Sequence, residues 1–137
     1  MILHSLLQQM HLDGFGTVGS DLQVGTLAVD ANGKARNGIS VALRGYPVNR
    51  IQINVQALDI YVRNTNSLTA LNKAQQILEY LQESFAEVCD LPALPPLTDT
   101  YSSVVITPTS SIEEVGVDDN GGYNFVVSAE IRYQKNN

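Results

Sequence analysis

The chain has 137 residues, 44% of them hydrophobic, with eight Lys and Arg against fourteen Asp and Glu for a net charge of −6. This length suits one domain able to bury a real core, and the composition excludes general disorder. Few, scattered cations leave no basic footprint for phosphate binding, which disfavours direct nucleic-acid recognition; the acidity serves solubility or, alternatively, lines a channel through which DNA slides. No apolar run approaches the roughly 18–20 residues that cross a bilayer. The opening MILHSLLQQMHLDGFG lacks a basic leader and a small-residue cleavage site, so no secretory signal is expected. The single cysteine, Cys89, cannot form an internal disulfide and fits maturation in a reducing cytoplasm.

In chain order, Ile2, Leu3, Leu6, Leu7 and Met10 recur at helical spacing and predict a short amphipathic helix over residues 1–12, stopped at Asp13-Gly14. Residues 14–25 are glycine-rich and read as irregular. Thr26–Val29 and Ile39–Leu43 are β-prone and flank DANGKARNG, whose Asn32-Gly33 is a good turn pair, so a hairpin with a long connection is expected. Gly45, Pro47 and Asn49 are expected to break the chain before a long strand from Ile51 to Arg63. In that strand the apolar positions are first odd (Ile51, Ile53, Val55, Ala57) and then even (Leu58, Ile60, Val62). Side chains alternate across a strand. The switch therefore calls for a β-bulge near Ala57–Leu58 or for a strand that crosses into another packing environment, such as a subunit interface.

Asn66 or Ser67 can cap the next helix, expected over about 67–89 with an apolar stripe of Leu71, Ala74, Leu78, Leu81, Phe85 and Val88. LPALPPL reads as a packed, extended connector. Tyr101–Thr107 is a strand whose partner is the last one. There, Tyr123, Phe125, Val127, Ala129, Ile131 and Tyr133 alternate with polar residues, as in a half-buried antiparallel strand. The expected fold is therefore α+β. A mixed or mostly antiparallel twisted sheet of about four to five strands packs against one long amphipathic helix (about 67–89) and a short N-terminal helix. One domain spans 1–137, with flexible loops at about 13–25, 30–38 and 108–122.

The search for chemistry is negative. GFGTVG has the spacing of a dinucleotide fingerprint, but a helix-like segment precedes it and SDLQVGT follows, whereas that site needs strand, loop, helix. His4 and His11, with one distant cysteine, give no metal-ligand spacing. Asp118-Asp119-Asn120-Gly121 lacks the alternating oxygens and closing Glu of a calcium loop and reads as a solvated turn. Adjacent Glu113 and Glu114 on an exposed loop are poorly placed to shift each other's pKa by burial. No catalytic, cofactor or metal site is expected, and the chain does not read as an enzyme.

The order of elements nevertheless carries a pattern. A short N-terminal helix and the loop Gly14-Phe15-Gly16 lead to a long strand with Ile60, Val62 and Arg63. A helix with Ala70, Ala74, Ile77 and Leu81 follows. Then come a strand ending at Pro108, a loop with Val115-Gly116-x-Asp118 and Gly121-Gly122, and a last strand from Tyr123. Over about residues 1–134 this layout resembles the tail terminator proteins of long-tailed bacteriophages, also called minor capsid or tail completion proteins. It departs from them in the polar turn Asn64-Thr65-Asn66 and in DANGKARNG, which leaves a tail terminator and a related head–tail joining protein both open.

The resemblance implies a structural virion protein of the tail or neck, assembled in the host cytoplasm. It would form a ring, usually a hexamer, that caps the tail tube. Its partners would be itself, the major tail tube protein and the head connector or completion protein. DNA would pass through without sequence-specific binding, and no membrane would be involved. On this reading Arg50, Arg63, Glu113, Glu114, Asp118 and Asp119 are the expected interface residues. Arg63 would pair with a neighbour's acidic loop, or else simply end its strand in solvent. Arg63→Glu would then impair ring formation and leave the fold intact. Competing readings are a monomeric adaptor or head completion protein and a small nucleotide-binding enzyme resting on GFGTVG.

Overall fold

A computed structural model describes residues 2–25, 36–50 and 53–136, with backbone alone at 46–50. In order, the elements are α1 (Ile2–Leu12), β1 (Leu22–Val24), β2 (Gly38–Arg50), β3 (Ile53–Asn64), α2 (Ser67–Ser84), β4 (Cys89–Leu91), β5 (Tyr101–Pro108), β6 (Glu113–Val117) and β7 (Tyr123–Lys135). The fold is α+β, with two helices and one seven-stranded mixed sheet among the described residues, more strands than the four to five expected. The sheet runs β1-β2-β3-β7-β5-β4, with β6 also on β7. β1 pairs parallel to β2, and every other pairing is antiparallel. The expected strand at 26–29 and the 32–33 turn lie outside the described residues.

Local sequence accounts for the helices. α1 ends where the Asp13 and Phe15 amides donate to the Gln9 and Met10 carbonyls and Gly14 takes φ +89°, a left-handed exit that glycine makes without strain. Asn66 caps α2, its Oδ1 accepting from the Thr69 amide at 3.1 Å. α2 is shorter than the span expected to reach residue 89. It closes with the Phe85 amide on the Leu81 carbonyl, and Cys89–Leu91 turns into β4. Its buried stripe shares Ala74, Leu81 and Phe85 with the expected one and differs elsewhere. Ala70, Ala74, Ile77, Leu81 and then Phe85 are buried, Leu71 and Leu78 are only partly so, and Val88 is 68% exposed. The two alanines give the helix a smooth face toward the sheet, which two leucines would hold further off. No helix among the described residues is long and apolar enough to cross a membrane.

The core forms on one face of the sheet. Even positions of β3 (Leu58, Ile60, Val62) stand opposite Ala129, Val127 and Phe125 of β7, and α1 and α2 contribute to the same cluster. By alternation, the odd positions of β3 (Val55, Ala57, Asp59, Tyr61, Arg63) point to the opposite face, which no helix among the described residues covers.

This corrects the expected bulge near Ala57–Leu58. β3 pairs with β7 without a shift from Asn54↔Tyr133 to Asn64↔Tyr123. The irregularity lies in β2, between Arg44 and Val48, opposite Gln56. Likewise Gly45, Pro47 and Asn49 do not end the strand: they form and follow the bulge inside β2, with Gly45 at φ +72°. Gln56 belongs to the core row although it is polar. Its Oε1 accepts from the Tyr133 hydroxyl at 3.0 Å, and its Nε2 donates to the Gly45 carbonyl at 3.2 Å. The side chain thus ties the β2 bulge to β7. Burial raises the Tyr133 phenol pKa, so that donor stays protonated. Gln56→Ala leaves a buried hydroxyl and the bulge carbonyl short of a partner. It should lower stability by about 1–3 kcal/mol, read as a fall in the urea midpoint with an unchanged slope.

Candidate interaction surfaces

The segment expected as a flexible loop at 108–122 is largely strand and turn. β5 and β6 lie end to end along one edge of β7, with Pro108 opposite Ala129 and Glu113 opposite Val126. The short link between them is anchored by the Thr109 amide on the Ser128 carbonyl at 3.0 Å. β6 then returns to β7 through the turn 118–122, closed by the Asp118 amide on the Gly122 carbonyl and the Gly121 amide on the Asp118 carbonyl. β6 pairs only with β7, so its outer edge faces no other strand among the described residues.

Arg63 holds this turn in place. It is 4% exposed, and its guanidinium makes a two-pronged contact with Asp118, Nε to Oδ2 at 2.6 Å and Nη2 to Oδ1 at 3.1 Å. Nη1 donates to Asn37 Oδ1 at 3.1 Å, which also accepts from the Thr65 amide. Asp118 further accepts from the Gly122 and Asn120 amides and from Asn124 Nδ2. The Arg63 contact, followed by the Gly122 amide, holds the Asp118 carboxyl well below the usual carboxylate range. The acidic run that superficially looks like a calcium loop therefore directs its first carboxylate at a cation from its own chain. Gly122 is required for close approach, since a Cβ there would run into the guanidinium.

Arg63 is accordingly neither a solvent-facing strand end nor an open cation for a neighbour's loop. The expectation that Arg63→Glu spares the fold is reversed, because the change buries a carboxylate against Asp118. Asp118 is engaged in the same clamp. Asp119 is exposed beside it, and Glu113 and Glu114 are exposed on β6. Arg50 is the last residue of β2, opposite Ile53, and its side chain lies outside the described part. The structure thus brings Arg63 and Asp118 together and keeps Glu113 and Glu114 one strand away.

Sequence reasoning missed a buried acid. Asp59 sits 5% exposed on the helix-free face, accepting from Ser128 Oγ at 2.8 Å and paired to Arg44 Nε at 2.6 Å. It also missed Asn37, Gly122 and Asn124, which complete the Arg63 clamp. The turn chemistry of D-x-N-G-G was the only local sign of that clamp.

The other candidates hold no reactive arrangement. GFGTVG follows α1 and precedes β1, the reverse of a dinucleotide loop. Its Thr17 amide already serves the Asp21 carboxylate at 2.6 Å, which would repel a phosphate. His11 Nδ1 lies 2.7 Å from the Gly16 carbonyl. The Cys89 thiol donates to the Val104 carbonyl, and burial followed by the nearby Asp90 raises its pKa, away from thiolate chemistry. Among the described residues no group of three or more His, Cys, Asp or Glu is placed to hold a metal.

No protein-family model matches this sequence, and no curated protein is similar to it.

Two outcomes follow for the clamp. Arg63→Ala and Gly122→Ala should each lower the melting temperature, Arg63→Ala by about 5–10 °C, with differential scanning calorimetry as the check. Asp118 has a folded pKa below its unfolded value of about 4. Its contribution is therefore present above pH 4 and lost as pH falls through the folded value. The gap in urea midpoint between wild type and Asp118→Asn should be constant from neutral pH down to about 5 and shrink below about 4.

Proposed function

We propose that this chain is a structural subunit of the phage tail-terminator kind, assembling into a ring that caps a tail tube and offers a surface for head–tail joining. The observation that carries the reading is the helix-free sheet face. Solvated antiparallel strands carry polar residues on their outer face. Here Ile53, Val55 and Ala57 occupy the outer positions at one end of β3, and Ile53 is 38% exposed. An apolar strip on a bare sheet suits a surface that another subunit covers. A cyclic ring needs such a face to meet a different patch on the next copy. The body behind it is a packed helix layer over a continuous sheet, as a load-carrying ring requires. With a net charge of −6, a lumen lined by acids would let DNA pass without adhering.

Native mass spectrometry tests the reading. Wild type should form a closed oligomer, a hexamer on this reading. Val55→Glu with Ala57→Glu should give monomers whose circular dichroism spectrum and melting are unchanged. A wild-type chain that stays monomeric up to its solubility limit, alone and mixed with purified tail tubes, would rule the ring out.

A further inference from the structure

The outer edge of β6 is bordered by a concavity on each face of the sheet. On the helix side a groove of about 600 Å³ runs between α2 and β6, floored by Leu71, Leu78, Ile112 and Phe125. On the helix-free side a second of about 450 Å³ is lined by Tyr61, Val126, Ser128 and Glu113, with the Arg44–Asp59 pair. A strand added to an open edge sends alternate side chains to the two faces, and these are the two places where such side chains would go. β6 itself presents Val115 and Val117, 58% and 57% exposed, beside that edge.

Charge identifies the occupant. The helix-side groove carries Glu79 and Glu114 and has no Lys, Arg or His in its lining. Glu113 stands on the same strand and Glu83 one turn further along α2. The described short edge strands of a second copy are a poor match. β1 is Leu-Gln-Val, β4 is Cys-Asp-Leu and β6 is itself acidic, so the short edge strands carry no cation. Among the described side chains, Arg44, Arg63, Arg132 and Lys135 are ion-paired within the chain, Lys73 lies over the Phe15 ring at 6.0 Å, and Arg36 is exposed ahead of β2.

We infer that the β6 edge is a docking site for an extended segment of a different protein, one that alternates apolar side chains with Lys or Arg. Its backbone extends the sheet, an apolar residue fills the Leu71–Leu78–Phe125 groove, and neighbouring cations meet Glu79 and Glu114. The site is separate from the Ile53–Ala57 face, so a chain that forms no ring would still take the segment.

Hydrogen exchange read by mass spectrometry tests this, with a capped peptide alternating Val and Lys as probe and its Val–Glu counterpart as control. The Val–Lys peptide should slow exchange in residues 109–117, and the Val–Glu peptide should not. Glu79→Lys with Glu114→Lys, both at exposed positions, should leave the fold intact and reverse the preference. Each peptide's half-protection concentration should move about fivefold, as two exposed ion pairs allow. Three results would overturn the inference: no protection at 109–117 with either peptide, equal protection by both, or concentration-dependent protection there without peptide, which would make a second copy the occupant.

Discussion

The pairing of β3 with β7 sets the frame for everything else. It runs unshifted from Asn54↔Tyr133 to Asn64↔Tyr123, in the middle of the sheet, with β2 outside one strand and β5 and β6 outside the other. Because side chains alternate, this one register assigns Leu58, Ile60 and Val62, with Phe125, Val127 and Ala129, to the side that the helices cover. A slip of β3 by one residue against β7 would turn Leu58, Ile60 and Val62 to the bare face and bring Asp59 and Arg63 under the helices. The irregularities lie in β2, β5 and β6, the strands that must bend around the central pair. Gln56 belongs to this frame too, since it fastens the β2 bulge to Tyr133 and keeps the departure from regular pairing outside β3.

What could be read from the sequence follows the range of the forces involved. The stop of α1 at Asp13-Gly14, the Asn66 cap and the alternation of β7 depend on neighbours a few residues away, and they are legible. The β3 parity switch was visible, but its meaning was not. Gln56 is a core residue only because Tyr133, 77 positions on, supplies a donor. Pro47 looked like a strand breaker, but β1 pairs with β2 only at Ile39–Val41. Among the described residues no strand pairs with β2 on its outer side at Pro47, and there a missing amide is tolerated. α2 contained two overlapping stripes. Leu71 and Leu78 continue the stripe that hydrophobicity alone favours, whereas packing on the sheet selects Ala70 and Ile77 beside the shared Ala74 and Leu81. β6 (Glu-Glu-Val-Gly-Val) has neither length nor alternation and exists because β7 templates it. The Arg63–Asp118 contact joins residues 55 apart, which no local pattern encodes.

Electrostatics separates strong from weak contacts. Arg44 and Arg132 pair with acids while more than half exposed, and such pairs add little net stability because water screens them. Arg63 differs because its guanidinium is out of water, in a bidentate geometry with Asn37 as a further acceptor. Removing Asp118 would strand the buried Arg63 charge, whereas removing Arg63 leaves a carboxylate that is 32% exposed and still accepts from two backbone amides. Four of the eight cations thus neutralise acids nearby, and among the described residues the net negative charge falls to carboxylates outside these pairs. Several of these stand on α2 and β6, around the helix-side groove.

That distribution bears on how a partner would meet the surface. Had 108–122 been a mobile loop, docking would have had to order it, at a cost in conformational entropy comparable to the gain from a few contacts. Instead β6 is held at one end by Thr109 on Ser128 and at the other by the Asp118 turn, so its edge is formed before any partner arrives. Arg63 reaches that turn from the helix-free side of β3. The same guanidinium therefore sets the angle at which β6 leaves β7 and the shape of the bare sheet face beneath it. Loosening the clamp would blur both surfaces together, so Arg63 shapes them while its guanidinium stays engaged within the chain.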